Sequence, residues 1–463
     1  MVGKSAGRVI VVGAGVSGLS AAYRLMQQGF AVTVLEETDH VGGKTTASRR
    51  DGFTLNTGAS VLGASYEAML QIAKEIGADS EVIEVAPTVG VVRDGRVHYL
   101  RGAPPGAIVD FIRTPLLSAR SKLLMGRLGI DAFKARRKAG YDKPALRAEL
   151  DTESVAAYCD RRLNAEIRDR LLAPLMGGLF VVDGARMSVA DLYFSLVKFL
   201  GGGMLGYRNG IDFFALALAE HVPVETGAKV TLVEPVDNGA RVVWFQDGAD
   251  HDERVDGVVL TLAAPLVPPV FPALDPEIQA MLLEGLKPAN FIGARFALKR
   301  RPPGDALVVV VPSGELDGLS TVMFEHNVSP GCVPAGKGLV GALFYHEWTT
   351  PRLGLSDDEL LEQMLPALDP VVPGIAEELE FAEITRWAPA ALRSEPGMHR
   401  VIAEIDSKLQ GEHVIQLAGD YLSIPSINGS VVSGETAARR LSDTLARRRT
   451  RSHLPARKVD AHA

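Results

Sequence analysis

The stretch from Arg8 to Glu36 constrains what this chain can fold into more than any other part of it. Val9-Ile10-Val11-Val12 is apolar and β-branched throughout, as a parallel strand buried on both faces requires. Gly13-Ala14-Gly15-Val16-Ser17-Gly18 follows directly. In this spacing the first glycine permits a tight turn, the second clears room for a pyrophosphate, and the third lets helix and strand pack closely. Leu19 to Gln28 reads as a helix whose N-terminal N–H groups and positive dipole end face the phosphates. After Gly29, Ala31 to Leu35 makes a second strand. Glu36 closes it, with Glu37 beside it, where a carboxylate accepts hydrogen bonds from a ribose 2′-OH. A carboxylate there repels a 2′-phosphate, which argues against an NADP-type ligand. Strand, glycine turn, helix, strand and carboxylate together predict a doubly wound α/β domain that binds an adenine dinucleotide.

Length and composition agree with that reading. At 463 residues the chain can hold two or three domains with large cores. Its apolar share of 47% and charged share of 23% are those of an ordinary globular protein. A net charge of −7 leaves no electrostatic reason to expect nucleic acid as a partner. The two cysteines, Cys159 and Cys332, stand far apart in unlike contexts. They cannot build a disulfide framework or a metal cluster, so no metal is expected. Met1 to Gly7 lacks the apolar core of a signal peptide, and the expected compartment is the cytoplasm. The longest apolar run, Gly257 to Phe271, is broken by Pro265, Pro268 and Pro269 and falls short of a bilayer span.

Val41-Gly42-Gly43-Lys44 follows the carboxylate, and Asp51 to Ser60 reads DGFTLNTGAS. Two adjacent glycines and a cation offer a backbone surface that can approach a dinucleotide, with Lys44 bringing charge to a phosphate. The strings GAGVSGLSAAYRL, VLE, VGGK and DGFTLNTGAS resemble the opening of the flavin amine oxidase, protoporphyrinogen oxidase and phytoene desaturase superfamily. The resemblance implies FAD rather than NAD. It sets the pair containing Gly43 against the FAD, and Gly58, Ala59, Ser60 and Val61 beside the flavin ring. It also brings the backbone of Val230 to the adenine end.

The far end of the chain carries the matching half. His413 to Leu417 reads as a strand, followed by Ala418-Gly419-Asp420, a loop through Asn428-Gly429, and a helix from about Ser430. In the superfamily the acidic residue after that glycine, here Asp420 after Gly419, bonds the ribityl-pyrophosphate region. The next helix, entered near Ile427, turns its N–H groups to the flavin N1–O2 edge. Reduced flavin is negative at N1, and a helix dipole stabilises it there. Trp387 stands in a segment resembling the family's tryptophan motif. Animal monoamine oxidases attach FAD through a cysteine shortly after that motif. No cysteine follows Cys332 here, so the FAD is expected to be non-covalent.

Between these ends, Glu84 to Leu100 alternates around Asp94-Gly95 and predicts a hairpin, and residues from Ala107 to about Leu200 turn helical. Arg113 to Lys143 mixes leucines with Arg and Lys, a solvated face over a cap that leaves membrane contact open. Pro174 to Phe180 and then Met187 to Ala190 resemble the protoporphyrinogen oxidase branch. Arg241 to Gln246 and Gly257 to Leu262 read as strands joined by a polar, turn-rich Asp247 to Asp256. The expected FAD domain is therefore discontinuous, residues 1–84, 201–265 and 401–446, with a mixed-sheet and helical substrate domain at 85–200 and 266–400. Residues 447–463 are expected to form a basic tail without structure.

The expected chemistry is hydride transfer from an activated C–H bond to flavin N5, with oxygen or another acceptor taking the electrons onward. Many amine oxidases carry a lysine in a strand of the second substrate segment. Phe291 to Phe296 aligns Gly293 there, with Lys287 and Lys299 as displaced candidates. The expected substrate is small, largely apolar and cyclic, desaturated next to a carbonyl or in a porphyrinogen-like ring. An amine oxidase, a carotenoid-type desaturase or isomerase, and a binding protein that retains FAD without turnover are the alternatives. No acid–base pair stands out, so no catalytic residue is assigned; Tyr345, His346 and Tyr421 are candidates for substrate contact.

Overall fold

A computed structural model describes residues 6–58, 60–86, 88–101, 106–200 and 203–452. The β-branched run that opens the chain becomes the central strand of a five-stranded sheet. Its order is Val224–Glu225, Ala31–Leu35, Arg8–Val12, Gly257–Leu260, Ile415–Leu417, and every neighbouring pair is parallel. Successive side chains of a strand point to opposite faces. Val9, Ile10, Val11 and Val12 are all buried, so both faces of this sheet are covered. The helix Val16–Gln27 follows the glycine turn and packs on the last helix, Ile427–Ser452. Their close approach depends on Gly434, where a Cβ would collide with the Ser17 carbonyl. Arg24 Nε ties the same two helices by donating to Glu435 at 2.7 Å.

The second layer is a seven-stranded mixed sheet. Its order is Leu379–Leu392, Pro288–Leu298, Gly338–Phe344, Leu319–Phe324, Val308–Val310, Thr88–Arg93, Arg96–Arg101. Val308–Val310 runs parallel to Thr88–Arg93, and the other neighbours are antiparallel. The hairpin expected around Asp94-Gly95 forms, with φ of 50° and 68° at the two turn residues, the backbone whose twist suits a two-residue loop. Behind the sheet, Asp357–Leu368 starts from a capping box between Ser356 and Glu359 and packs Leu360, Met364 and Leu368 into the core.

Two stretches depart from expectation. Ala249–Val255, read as a polar turn, is a third strand paired antiparallel with Gly239–Gln246. It is a mostly solvated strand, so core burial imposes no apolar alternation on it. It is held by Arg241 on Asp252 at 2.7 Å and by Trp244 stacked on His251 at 5.0 Å. The last helix continues to Ser452, so residues 447–452 are helical rather than the start of an unstructured tail; 453–463 lie outside the described residues. Arginine is a good helix former, and cations near a helix C-terminus suit its dipole. Arg451 also pairs with Glu412 at 2.8 Å.

The basic stretch of the cap contains the helix Ala119–Ala135, which buries Leu128 and Ala132. Arg120, Leu123, Arg127, Ile130 and Lys134 form one exposed stripe along it at helical spacing. Among the described residues no helix is long and apolar enough to cross a membrane. Cys159 and Cys332 are both free and buried.

Packing of the mixed sheet also sets a pH response. His326 is buried where Glu325–Val328 meets Gly338–Phe344, and its Nδ1 accepts from the Leu339 N–H at 3.2 Å. Burial pushes its pKa down to about 4. From the ordinary value near 6.5 down to about 4, the unfolded chain therefore binds a proton that the folded chain refuses. Stability is full above pH 6.5 and falls as pH drops through that window, by at most about 3 kcal/mol. Urea unfolding at pH 7.5 and 4.5 should show this loss reduced in His326→Gln, and an unchanged loss would remove His326 as its source.

Candidate active site

The glycine turn builds an open cradle at the C-terminal edge of the parallel sheet. Gly13 has φ of 101°, and its N–H donates to the Leu35 carbonyl at 2.8 Å, fixing the turn against the second strand. Gly42 N–H donates to the Ala14 carbonyl at 2.9 Å, which brings the second glycine pair onto the first. A Cβ on Gly43 would stand 3.3 Å from Gly15 Cα, whereas a Cβ on Gly15 would meet nothing within 4 Å. Gly15 therefore faces empty space. Gly18 is the opposite case, since a Cβ there would collide with the Gly13 carbonyl oxygen. Ser17 is buried in the first turn of the helix, and its Oγ has no hydrogen-bond partner among the described residues. A buried hydroxyl without a partner costs free energy unless a ligand supplies one.

Glu36 lies at the rim. Its carboxylate accepts from Ala14 N–H at 2.7 Å, and from Thr38 N–H at 3.0 Å and Thr38 Oγ1 at 2.8 Å, which orients it and leaves an acceptor position on Oε2 for a ribose hydroxyl. Glu37 is exposed and pairs with Lys229 instead. Lys229–Val236 carries Val230, which is buried, and the neighbouring Ala228 N–H donates to the Glu36 carbonyl at 2.8 Å. Lys44 does not stand free for a phosphate. Its Nζ pairs with Asp420 and donates to the Ala390 carbonyl at 2.9 Å, so one ion pair joins the second glycine motif to the C-terminal motif. Gly419, with φ of 156°, is held by its N–H donating to Ser433 Oγ at 3.0 Å. Cradle, partnerless Ser17 hydroxyl, oriented Glu36 and the crossing of the two helices fit a dinucleotide. Ala59 lies outside the described residues.

A cavity of about 230 Å³, partly open to solvent, lies beside Gly58. Gly58, Ser60 and Val61 form one side and Ile427 another, so the segments expected to flank a flavin ring share one space. Leu175, Leu179 and Phe180 of the helix Ala173–Phe180 close it, with Val308, Val310, Met323 and Leu343 from the mixed sheet. Gly178 lets that helix sit on the sheet, because a Cβ there would stand 2.5 Å from Val310 Cγ1. No charged or imidazole side chain lines the cavity among the described residues. Its polar side chains are the hydroxyls of Ser60, Tyr66, Thr321 and Ser426. Burial raises the Tyr66 phenol well above its usual range, so it stays protonated. The wall therefore offers no side-chain base working near neutral pH.

Gly293 occupies the position aligned with the amine oxidase lysine. It pairs across the sheet with Leu343, and a Cβ on it would meet Leu343 Cδ2 at 3.0 Å, on the face that lines the cavity. Lys287 and Lys299 are not displaced substitutes. Both are exposed, Lys287 bonding Glu395 at 3.0 Å and Lys299 the Glu377 carbonyl at 2.8 Å. Tyr345 is buried with its hydroxyl on the Val311 carbonyl at 2.6 Å, and His346 accepts from the Asn290 N–H at 2.9 Å. Neither lines the cavity; Tyr421 lines a separate groove beside Lys44 and Asp420. Trp387 Nε1 donates to the Thr57 carbonyl at 2.9 Å, bracing the strand end before Gly58.

Behind Gly58 and Ser60 lies a buried polar cluster that the sequence reading does not include. Arg295 and Glu325, 3% and 0% exposed at their side chains, form an ion pair at 3.0 Å. Arg295 Nη2 donates to Ser60 Oγ at 2.8 Å. Glu325 accepts from Asn56 Nδ2 at 2.9 Å, and Tyr207 OH donates to the Ser60 carbonyl at 3.1 Å. Its signal in the sequence is one arginine inside the apolar run Phe291 to Leu298, since a charge there must find a buried partner. The partner is 30 residues away and visible only in the fold.

Residues 16–442 match the family described as flavin containing amine oxidoreductase. The chain belongs to that family. The cradle fits an adenine dinucleotide and the family is flavin-containing, so the cofactor is FAD. Among similar proteins, coproporphyrinogen III oxidase of Staphylococcus aureus is 31% identical over 194 residues, 40% of this chain and 39% of that one. A putative flavin-containing monoamine oxidase of Mycobacterium tuberculosis is 41% identical over 294 residues, 59% of this chain and 61% of that one. The chain thus spans about two fifths and three fifths of these relatives. A putative protoporphyrinogen oxidase from Exiguobacterium superposes with a TM-score of 0.74 at 19% identity, covering 95% of this chain and 99% of that one, a likeness of fold.

Proposed function

We propose that this protein dehydrogenates a small, largely apolar, cyclic molecule, with oxygen or another acceptor taking the electrons from the cofactor. The observation that carries this reading is the cavity with an uncharged, mostly apolar wall. A molecule that enters gives up its water to apolar side chains, which favours a neutral substrate over a charged one. FAD, when bound, would supply a hydride acceptor for a C–H bond that the protein holds against it. The protein's share is to bind, orient and exclude water. Gly13, Ala14, Gly15, Ser17 and Gly18 hold the pyrophosphate, and Glu36 the ribose. Lys44, Gly419 and Asp420 brace the region beyond it, and Gly58 to Val61 with Ile427 bound the ring. The FAD is held without a covalent link, in a domain built from residues 1–84, 201–265 and 401–446. We place the protein in the cytoplasm.

Anaerobic titration of the flavin-loaded protein should bleach the flavin with cyclic ketones or porphyrinogens. Bleaching by amines alone would replace this reading with a flavin amine oxidase. The similarity to a putative monoamine oxidase favours that second reading, and Gly293 in place of a lysine speaks against it. Lys287→Ala and Lys299→Ala are expected to change turnover less than about twofold, as for surface substitutions. A loss of a hundredfold in either would restore the lysine to the mechanism.

A further inference from the structure

We propose that the Ser60 hydroxyl is the cavity's hydrogen-bond donor, that it selects a substrate bearing a carbonyl oxygen, and that buried Arg295 positions it. This rests on the dehydrogenase reading and names which of its substrates the wall recognises.

A hydroxyl has one donor and two acceptor positions. Thr321 Oγ1 gives its proton to the Gly178 carbonyl at 3.0 Å, and Ser426 Oγ gives its own to the Ile424 carbonyl at 3.1 Å. Tyr66 is engaged with Ser426. Ser60 differs. Arg295 Nη2 occupies an acceptor position of its Oγ at 2.8 Å, and among the described residues its proton reaches the Gly58 carbonyl, at 3.4 Å. Arg295 Nη2 competes for that same carbonyl at 3.4 Å. The proton of Ser60 is thus held weakly by the protein and stands on the cavity wall, polarised by a cation behind it. Charge-assisted bonds are roughly twice as strong as neutral ones, and an apolar surround strengthens them further.

Arg295 can do this because its own position is over-determined. Glu325 balances its charge, Asn56 holds Glu325, and Gly341 opposite leaves the space, since a Cβ there would stand 3.1 Å from both Arg295 Nε and Glu325 Oε1. A donor on an otherwise apolar wall requires an acceptor on the ligand. A carbonyl provides one, whereas an ammonium group and a pyrrole N–H offer only donors.

The test uses the FAD-loaded protein under anaerobic conditions and two ligands of equal shape, 2-decalone and 2-methylenedecalin, with binding read from the flavin absorbance. Wild type is expected to bind the ketone at least tenfold more tightly than the alkene. Ser60→Ala should erase that preference by weakening ketone binding at least tenfold. Arg295→Lys keeps the charge but loses the fork that reaches both Glu325 and Ser60, and should narrow the preference without moving alkene affinity. Equal binding of the two ligands by wild type, binding of neither, or a preference that survives Ser60→Ala overturns the inference. Failure of the dehydrogenase reading looks different: the flavin is bleached by amines alone.

Discussion

Gly15→Val is expected to give a folded protein that does not retain FAD. The space around Gly15 holds no protein atom that a Cβ would meet, so the fold tolerates the side chain, while the added methyls fill the cradle where the pyrophosphate must approach the backbone. The expected loss is roughly a hundredfold in FAD affinity or more, about 2.7 kcal/mol. The neighbouring Gly18→Ala should fail in the opposite way, because its methyl would strike the Gly13 carbonyl and push the helix off the sheet. A loss of about 3 kcal/mol in folding stability is expected there. Thermal melting of the apoprotein and titration with FAD separate the two. An unstable Gly15→Val, or one that remains yellow through gel filtration, would mean the cradle is not where the cofactor lies.

Arg295→Met is expected to cost about 3–5 kcal/mol of stability, because it leaves the Glu325 carboxylate buried without a partner. The cost lies in the unpaired charge more than in the lost bond. Removing both charges together, in Arg295→Met with Glu325→Gln, should therefore recover most of it. Melting temperatures of the two single variants and the double close the cycle. Additive losses would show that the two side chains act separately, and that Ser60 is not held through a shared pair.

The cofactor half of the site was legible along the chain because its parts are local. A glycine turn, the helix after it and the carboxylate that ends the next strand act within 30 residues, and each residue type follows from a steric or electrostatic need that spacing reveals. The hairpin at Asp94-Gly95 was legible for the same reason, since a turn is satisfied by its near neighbours. The strand Ala249–Val255 was not, because its residues are mostly solvated and its partner, rather than its own pattern, makes it a strand. The substrate half was illegible throughout. Lys287 and Lys299 looked like chemical candidates but turn to solvent, whereas Gly293, with no side chain at all, lies against Leu343 of the cavity wall.

By itself the sequence determined the strand–turn–helix–strand opening of the nucleotide fold, the open glycine cradle and the dinucleotide class, all of which rest on contacts between residues close in the chain. Only the tertiary structure decided that Lys44 spends its charge on Asp420, 376 residues away, and that the cavity wall carries no charge. It alone brought Arg295, Glu325 and Asn56 together behind Ser60. The free energy of a buried charge depends on which partner reaches it and on how completely water is excluded, and both are properties of the packed chain rather than of any stretch of it.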